Sequence, residues 1–279
     1  MSVAYTLVLN AAVATLVLAL AAVGLAVIFG MMNVINLAHG AFITGGAYVA
    51  WVAANAGSFW AGVIAAPIVL GVVGYVLEWA VVGRLYDRPL DTILATWGIA
   101  LAAQEGLKLL FDATSKDVPL PIQGRVDLGA TVYPTYRLVL IGMSAVVLTA
   151  VFAVLLSTKF GVRLRAVIQD PTAASLLGLN ETRLYRITFA SGAGLAGLAG
   201  AVLSPIATVT PEMGTTYLID SFLAVIIGGS PVGVVLGSAV VAGTGNLLSF
   251  AVSPVTAQTV VFVVAIAVVV VRPEGIVGE

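Results

Sequence analysis

Charge is what this sequence has least of. Of its 279 residues only 9% are Asp, Glu, Lys or Arg, against 61% that are hydrophobic. Soluble domains are roughly 25% charged and about 45–50% apolar, so a soluble globule of this composition would expose apolar surface and aggregate. The scarcity is uneven as well: no charged residue occurs in 1–77 or in 221–271. A helix crossing a bilayer needs about 20 apolar residues, so each stretch holds two or three crossings. No basic segment precedes the first apolar run, which is expected to be a retained span rather than a cleaved signal peptide. Cysteine is absent, which excludes disulfides, thiolate zinc sites and iron–sulfur clusters. The net charge of −1 supplies no basic face for nucleic acid. There is one histidine, no Ser/His/Asp arrangement with recognisable spacing, no metal-ligand cluster and no Walker glycine loop. Nothing reads as an enzyme, and any ATP hydrolysis would belong to another chain.

What is present is a series of apolar runs. Spans are expected over 6–29, 33–55, 60–82, 92–111, 137–156, 185–205, 232–250 and 256–271, with 217–227 too short to cross and read as broken or re-entrant. The fold class is therefore all-α: a polytopic membrane helix bundle of about eight transmembrane helices, a single transmembrane domain over 1–279. Lys and Arg concentrate on cytoplasmic loops. Lys159, Arg163, Arg165, Arg183 and Arg186 place the loop at about 157–185 in the cytoplasm, and Arg84 and Arg88 follow by counting spans. The loop at about 112–134 then lies outside, as does the N-terminus. In the 185–205 span, Gly192, Gly194, Gly197 and Gly200 alternate with Ala193, Ala196 and Ala199. Small residues at this spacing let helix backbones approach closely in lipid.

Polar residues inside such runs are costly unless they find partners or face a polar cavity. Asn33, Asn36, His39 and Gly40 fall within eight residues and suggest a broken helix lining a path. As a helix, Asn33, Asn36 and Gly40 would share one face. The alternative is hydrogen bonding that only holds helices together. In the basic loop, Asp170 suits an N-cap, Pro171 a first turn and Gly178 a C-terminal stop. This predicts a two-turn helix, either a docking element or an ordinary amphipathic helix on the membrane surface. Asp220 and Ser221 open the short segment, where an acid is either an N-cap at the interface or a pore-lining group. Glu78, Gln104 and Glu105 sit near expected span ends, within reach of headgroups, and Trp51, Trp60, Trp79 and Trp97 suit interfacial belts.

Three stretches carry a resemblance. The first is 24–48, with Gly30, Asn36, His39, Gly40 and Gly46. The second is 161–180, with Arg163, Arg165, Ala174, Gly178 and Asn180. The third is the ending Arg272-Pro273-Glu274-Gly275. Together they resemble the branched-chain amino acid and urea-type ABC permeases along nearly the whole chain. The stretches 88–99 and 209–223 are more similar to the urea branch. One departure stands out: the family's Gly-Gly-x-Gly turn reads here Gly228-Gly229-Ser230-Pro231-Val232-Gly233.

The resemblance implies an ATP-driven importer of the bacterial inner membrane. It implies a second permease chain, two cytoplasmic ATPase subunits that bind the ATP and magnesium, and an external substrate-binding protein. This chain itself would carry no cofactor. It also implies that the loop docks on the ATPase through Arg165, Gln169, Asp170, Thr172, Ala173, Ala174, Gly178 and Leu179. Thr172-Ala173-Ala174-x-x-x-Gly178 keeps the Ala-Ala and Gly spacing of the importer docking motif but replaces its Glu. On this reading the translocation path runs past Asn33, Asn36, His39, Gly40, Thr96, Asp220, Ser221, Gly228 and Gly229. Polar groups there would serve a neutral solute, urea first, with the glycines leaving gaps for its passage. Branched-chain amino acids or short amides are the alternative solutes. A passive channel would have no use for a docking helix, and a proton- or sodium-coupled carrier would need intramembrane carboxylates.

Overall fold

The computed structural model describes residues 2–32, 34–86, 88–129, 131–272 and 275–277; Asn33 lies outside them. Among the described residues, twelve α-helices follow one another: α1 (Ser2–Met32), α2 (His39–Asn55), α3 (Phe59–Ala80), α4 (Pro89–Phe111), α5 (Thr135–Ser157), α6 (Lys159–Gln169), α7 (Pro171–Leu176), α8 (Glu181–Leu203), α9 (Met213–Gly228), α10 (Val234–Ser238), α11 (Thr244–Leu248) and α12 (Pro254–Val271). A π turn, Ala239–Gly243, joins α10 to α11, and a 3-10 turn, Val82–Arg84, follows α3. In the 112–134 loop, β1 (Arg125–Asp127) pairs antiparallel with β2 (Val132–Pro134).

Among the described residues, six helices are long and apolar enough to cross a bilayer: α1, α3, α4, α5, α8 and α12. Helices α2 and α9 have 17 and 16 residues. At about 1.5 Å per residue they span about 24–26 Å, short of the roughly 30 Å hydrocarbon core. The chain is a multi-pass helical bundle in which shorter, interrupted helices pack among the long spans.

The capping residues explain several boundaries. Ser58, Thr158, Asp170, Asn180 and Ser253 each accept a backbone N–H of the helix that follows. These bonds satisfy donors that the first helical turn leaves open.

Helix α8 is the hub, lying against α1, α2 and α3. A Cβ at Gly24 would stand 2.5 Å from the Gly192 carbonyl oxygen, and one at Gly194 would stand 2.7 Å from that of Pro67. Gly46 lies against the Gly197 backbone and Gly200 against that of Ile43, both with no room for a methyl group. Lipid tails are as apolar as the side chains, so dispersion between close backbones, not water exclusion, holds this seam. The small-residue pattern of α8 is thus realised in full.

The two ends of the bundle are distinct. At one, Thr6 meets Thr131 and the Tyr133 hydroxyl donates to Asn10 Oδ1, joining the start of α1 to the 112–134 loop. At the other, the end of α3 and the turn after it meet the start of α8 through Glu78, Tyr86 and Arg186. The two basic segments therefore share one end and the 112–134 loop holds the opposite end.

Three sequence expectations need correction. The 33–55 segment is helical only from His39. Val34–Asn36 is not helical, so Asn36 and Gly40 share no helical face. The short 217–227 segment is the core of a longer helix that begins at Met213, because Gly214, Thr215 and Thr216 dilute the hydropathy of its first turn. Asp220 therefore lies inside α9 and is not its N-cap. Glu78 reaches no headgroup: it is fully buried.

Candidate functional site

The interrupted start of α2 forms a junction with three other helices. The Asn36 Oδ1 accepts the Ala38 N–H at 3.0 Å, which turns the chain into α2. The His39 Nε2 lies 2.8 Å from the Ala21 carbonyl. A carbonyl only accepts, so Nε2 carries the proton and pins the start of α2 to the middle of α1. Thr96 of α4 accepts the Leu37 N–H at 3.2 Å. Thr44 donates to the Gly40 carbonyl and accepts the Gly214 N–H, bringing the first turn of α9 against that of α2. The junction is almost closed to solvent: Asn36, His39, Thr96 and Ser221 are fully buried. Asn36 Nδ2, His39 Nδ1 and Ser221 Oγ have no partner. Buried polar atoms without partners are uncommon, and membrane interiors make them costly.

The glycines expected to leave gaps are filled. A Cβ at Gly40 would meet the Gly214 carbonyl at 2.7 Å, and one at Gly228 would meet Gly233 at 2.6 Å. Gly229 has φ +72°, the left-handed turn that ends α9. The chain end caps the same helix, with the Ile276 and Val277 amides donating to the Ile227 and Gly228 carbonyls. The altered Gly228–Gly233 turn is thus a helix stop sealed by the tail.

Asp220 stands apart from this junction. It lines a cavity of about 290 Å³ together with Asn10, Arg137, Tyr217 and Asn246, at the end that carries the 112–134 loop. Arg137 Nη1 donates to Asn10 Oδ1 at 2.8 Å, and Gln258 donates to Asp220 Oδ1 at 3.2 Å. Among the described residues no carboxylate pairs with Arg137 and no cation pairs with Asp220. Neither Arg137 nor Asn10 was singled out in the sequence. Each sits near a helix start, where a polar residue is ordinary, and only the fold sets them facing α9.

At the opposite end, α6 and α7 form the loop element. Gly161 abuts the Leu155 carbonyl, and the Arg165 guanidinium donates to that same oxygen. Arg165 therefore fastens α6 to the end of α5. Asp170 caps α7 through the Ala173 N–H at 2.9 Å, Pro171 opens it and Gly178 closes it at φ +80°. The predicted two-turn helix is present. Gln169, Thr172 and Ala173 are exposed, Ala174 is buried and Leu179 half-buried. Leu176 and Leu177, at 84% and 82% exposure, project from the tip.

The family described as "Branched-chain amino acid transport system / permease component" matches residues 7–271 of this chain. The chain belongs to that family. Among relatives of this permease-family chain, the high-affinity branched-chain amino acid transport system permease protein LivH of Salmonella typhimurium is 28% identical, covering 94% of this chain and 91% of its own. The permease protein BraD of the corresponding Pseudomonas aeruginosa system is 25% identical over the same shares. The fructose import permease protein FrcC of Rhizobium meliloti is 29% identical over 56% of this chain and 44% of its own. No solved structure gives a significant match.

Proposed function

We propose that the chain is the membrane-spanning subunit of an ATP-driven importer of branched-chain amino acids. The carrying observation is the family match over 7–271, together with near full-length relatives named for those solutes. This reverses the order of solutes reached from sequence. The urea preference rested on two local stretches, and on a path without charge. The Arg137 and Asp220 side chains on one cavity weaken the second support.

In this reading the basic-loop end faces the cytoplasm and the 112–134 loop faces the binding protein. Partner ATPases bind ATP and magnesium and dock on α7, where Leu176 and Leu177 offer an apolar knob. Motion of α7 passes to α5 through the Arg165 and Gly161 contacts with Leu155, and to α8 directly across the Asn180 cap. Because α8 is the hub of the seam, its displacement moves α1, α2 and α3 as one body. Outward and inward states then alternate around the interrupted segments, whose ends are the natural hinges.

The test is uptake into vesicles holding the whole complex, using labelled L-leucine with urea and acetamide as competitors. ATP-dependent uptake, indifferent to urea and lost in a Leu176→Asp/Leu177→Asp variant, is expected. Inhibition by urea but not by unlabelled leucine would return the assignment to the urea branch. Uptake that proceeds without ATP would replace the importer by a channel.

A further inference from the structure

The geometry points to the cavity between α1, α5, α9 and α11 as a binding site for a zwitterionic α-amino acid, with Arg137 taking its carboxylate and Asp220 its ammonium group. This rests on the amino-acid reading above and assigns the residues that would recognise that solute.

Opposite charges near one another inside a membrane bundle are expected to pair, since each is costly alone. Here they do not. Neutral side chains keep them apart: Asn10 holds Arg137, and Gln258 holds Asp220. Asn10 is itself braced by the Tyr133 hydroxyl at 2.7 Å, so the Arg137 side of the site is built from β2 and the starts of α1 and α5. Beside Tyr217 and Asn246, one stretch of the wall is aliphatic, with Val17, Leu18, Leu203 and Ile206. A cavity of about 290 Å³ is at the small end of ligand pockets, which run from roughly 300 Å³. One negative anchor, one positive anchor and an aliphatic wall complement a small amino acid with an apolar side chain. Neither urea nor a sugar has charges to offer these anchors.

A second feature points the same way. The π turn Ala239–Gly243 interrupts α10–α11 beside the cavity, and Ala242 lines it. Such turns concentrate at functional sites, because the extra residue displaces a helix wall. The cavity also lies at the loop end, where a solute from a binding protein would arrive.

Binding of L-leucine to the full chain in lipid nanodiscs, read by saturation-transfer NMR, tests the assignment. Leucinamide, which lacks the carboxylate, and 4-methylpentanoate, which lacks the ammonium group, serve as companions. Saturable leucine binding is expected, weakened about tenfold or more by Asp220→Asn and by Arg137→Gln. Asp220→Asn should erase the preference for leucine over 4-methylpentanoate, and Arg137→Gln the preference over leucinamide. Arg137→Lys and Asp220→Glu should restore part of each, which separates recognition from loss of fold. Arg125→Gln, on the exposed loop, should bind as wild type. Equal leucine binding by wild type and both neutralised variants would overturn the site. So would absent binding by a chain whose assembled complex imports leucine, and that result would leave the importer reading standing. A complex that fails to import leucine at all would remove that reading, and this assignment with it.

Discussion

Two regions of the molecule use the same residue types to opposite ends. In the seam of α1, α2, α3 and α8, glycines bring backbones into contact. At its end Arg186 Nε donates to Glu78 Oε2 at 3.1 Å, while the Tyr86 hydroxyl donates to Oε1 at 2.6 Å. There the buried Glu78 carboxylate has its counter-charge, and the glycine faces meet backbone. In the hollow between α1, α5, α9 and α11, an arginine and an aspartate line open space and each leans on an amide. The contrast teaches how to tell a structural charge from a recognising one inside a bundle. A structural pair is closed, buried and internally satisfied, whereas a recognising pair is left incomplete by neutral neighbours.

The largest expected effect lies in the seam. Gly46→Leu would drive a side chain into the Gly197 backbone, which cannot give. We expect a loss of about 5 kcal/mol or more, enough to remove folded protein from a detergent extract judged by size-exclusion chromatography. Gly142→Leu in α5, where no atom lies within 4 Å of the added Cβ, should be recovered normally. Equal recovery of the two would break the distinction between seam and surroundings.

Next comes the closed pair. Arg186→Met leaves Glu78 buried without its cation, an effect of about 3–5 kcal/mol on thermal unfolding in detergent. Glu78→Gln retains an acceptor for Tyr86 and should cost less than Arg186→Met.

In the hollow, Asp220→Asn changes no volume and keeps an oxygen for Gln258. Its stability loss should stay below about 1 kcal/mol, even as leucine recognition falls. A loss as large as that of Arg186→Met would show Asp220 to be structural and erase the comparison.

The smallest effect is at the loop end, where Lys108 bridges Glu105 and Glu212 at 3.0 and 2.8 Å. The hydrogen bond from Lys108 holds the Glu212 carboxyl below the usual carboxylate range. A lowered folded pKa stabilises above the unfolded value of about 4.3 and is lost as pH falls through the folded one. Glu212 is half exposed, so the Glu212→Gln difference at pH 7 should be under about 1 kcal/mol and should shrink as pH falls below the unfolded value. A difference that does not shrink on acidification would show that the charge is not its source.

Much of the fold was legible because its causes are local. Hydropathy marks the long spans: a 20-residue apolar run has no soluble alternative. The α7 boundaries followed from Asp170, Pro171 and Gly178, since an N-cap, a fixed φ and a left-handed stop each act within one helical turn. Even the hub was visible, in the small-residue spacing of α8. Where the expectations failed, a distant partner intervened. Glu78 looked like a headgroup acid until Arg186, far along the chain, came to meet it. Asp220 looked like a cap because the turn that extends α9 upstream is stabilised by Thr44 of another helix. The sequence by itself determined that this chain lives in a membrane, where its long spans lie and where the short capped helix α7 falls. Only the tertiary structure decided which charges are paired and which are left facing a cavity. Capping and hydropathy depend on neighbours along the chain, whereas the setting of a charge depends on which helix is packed across from it.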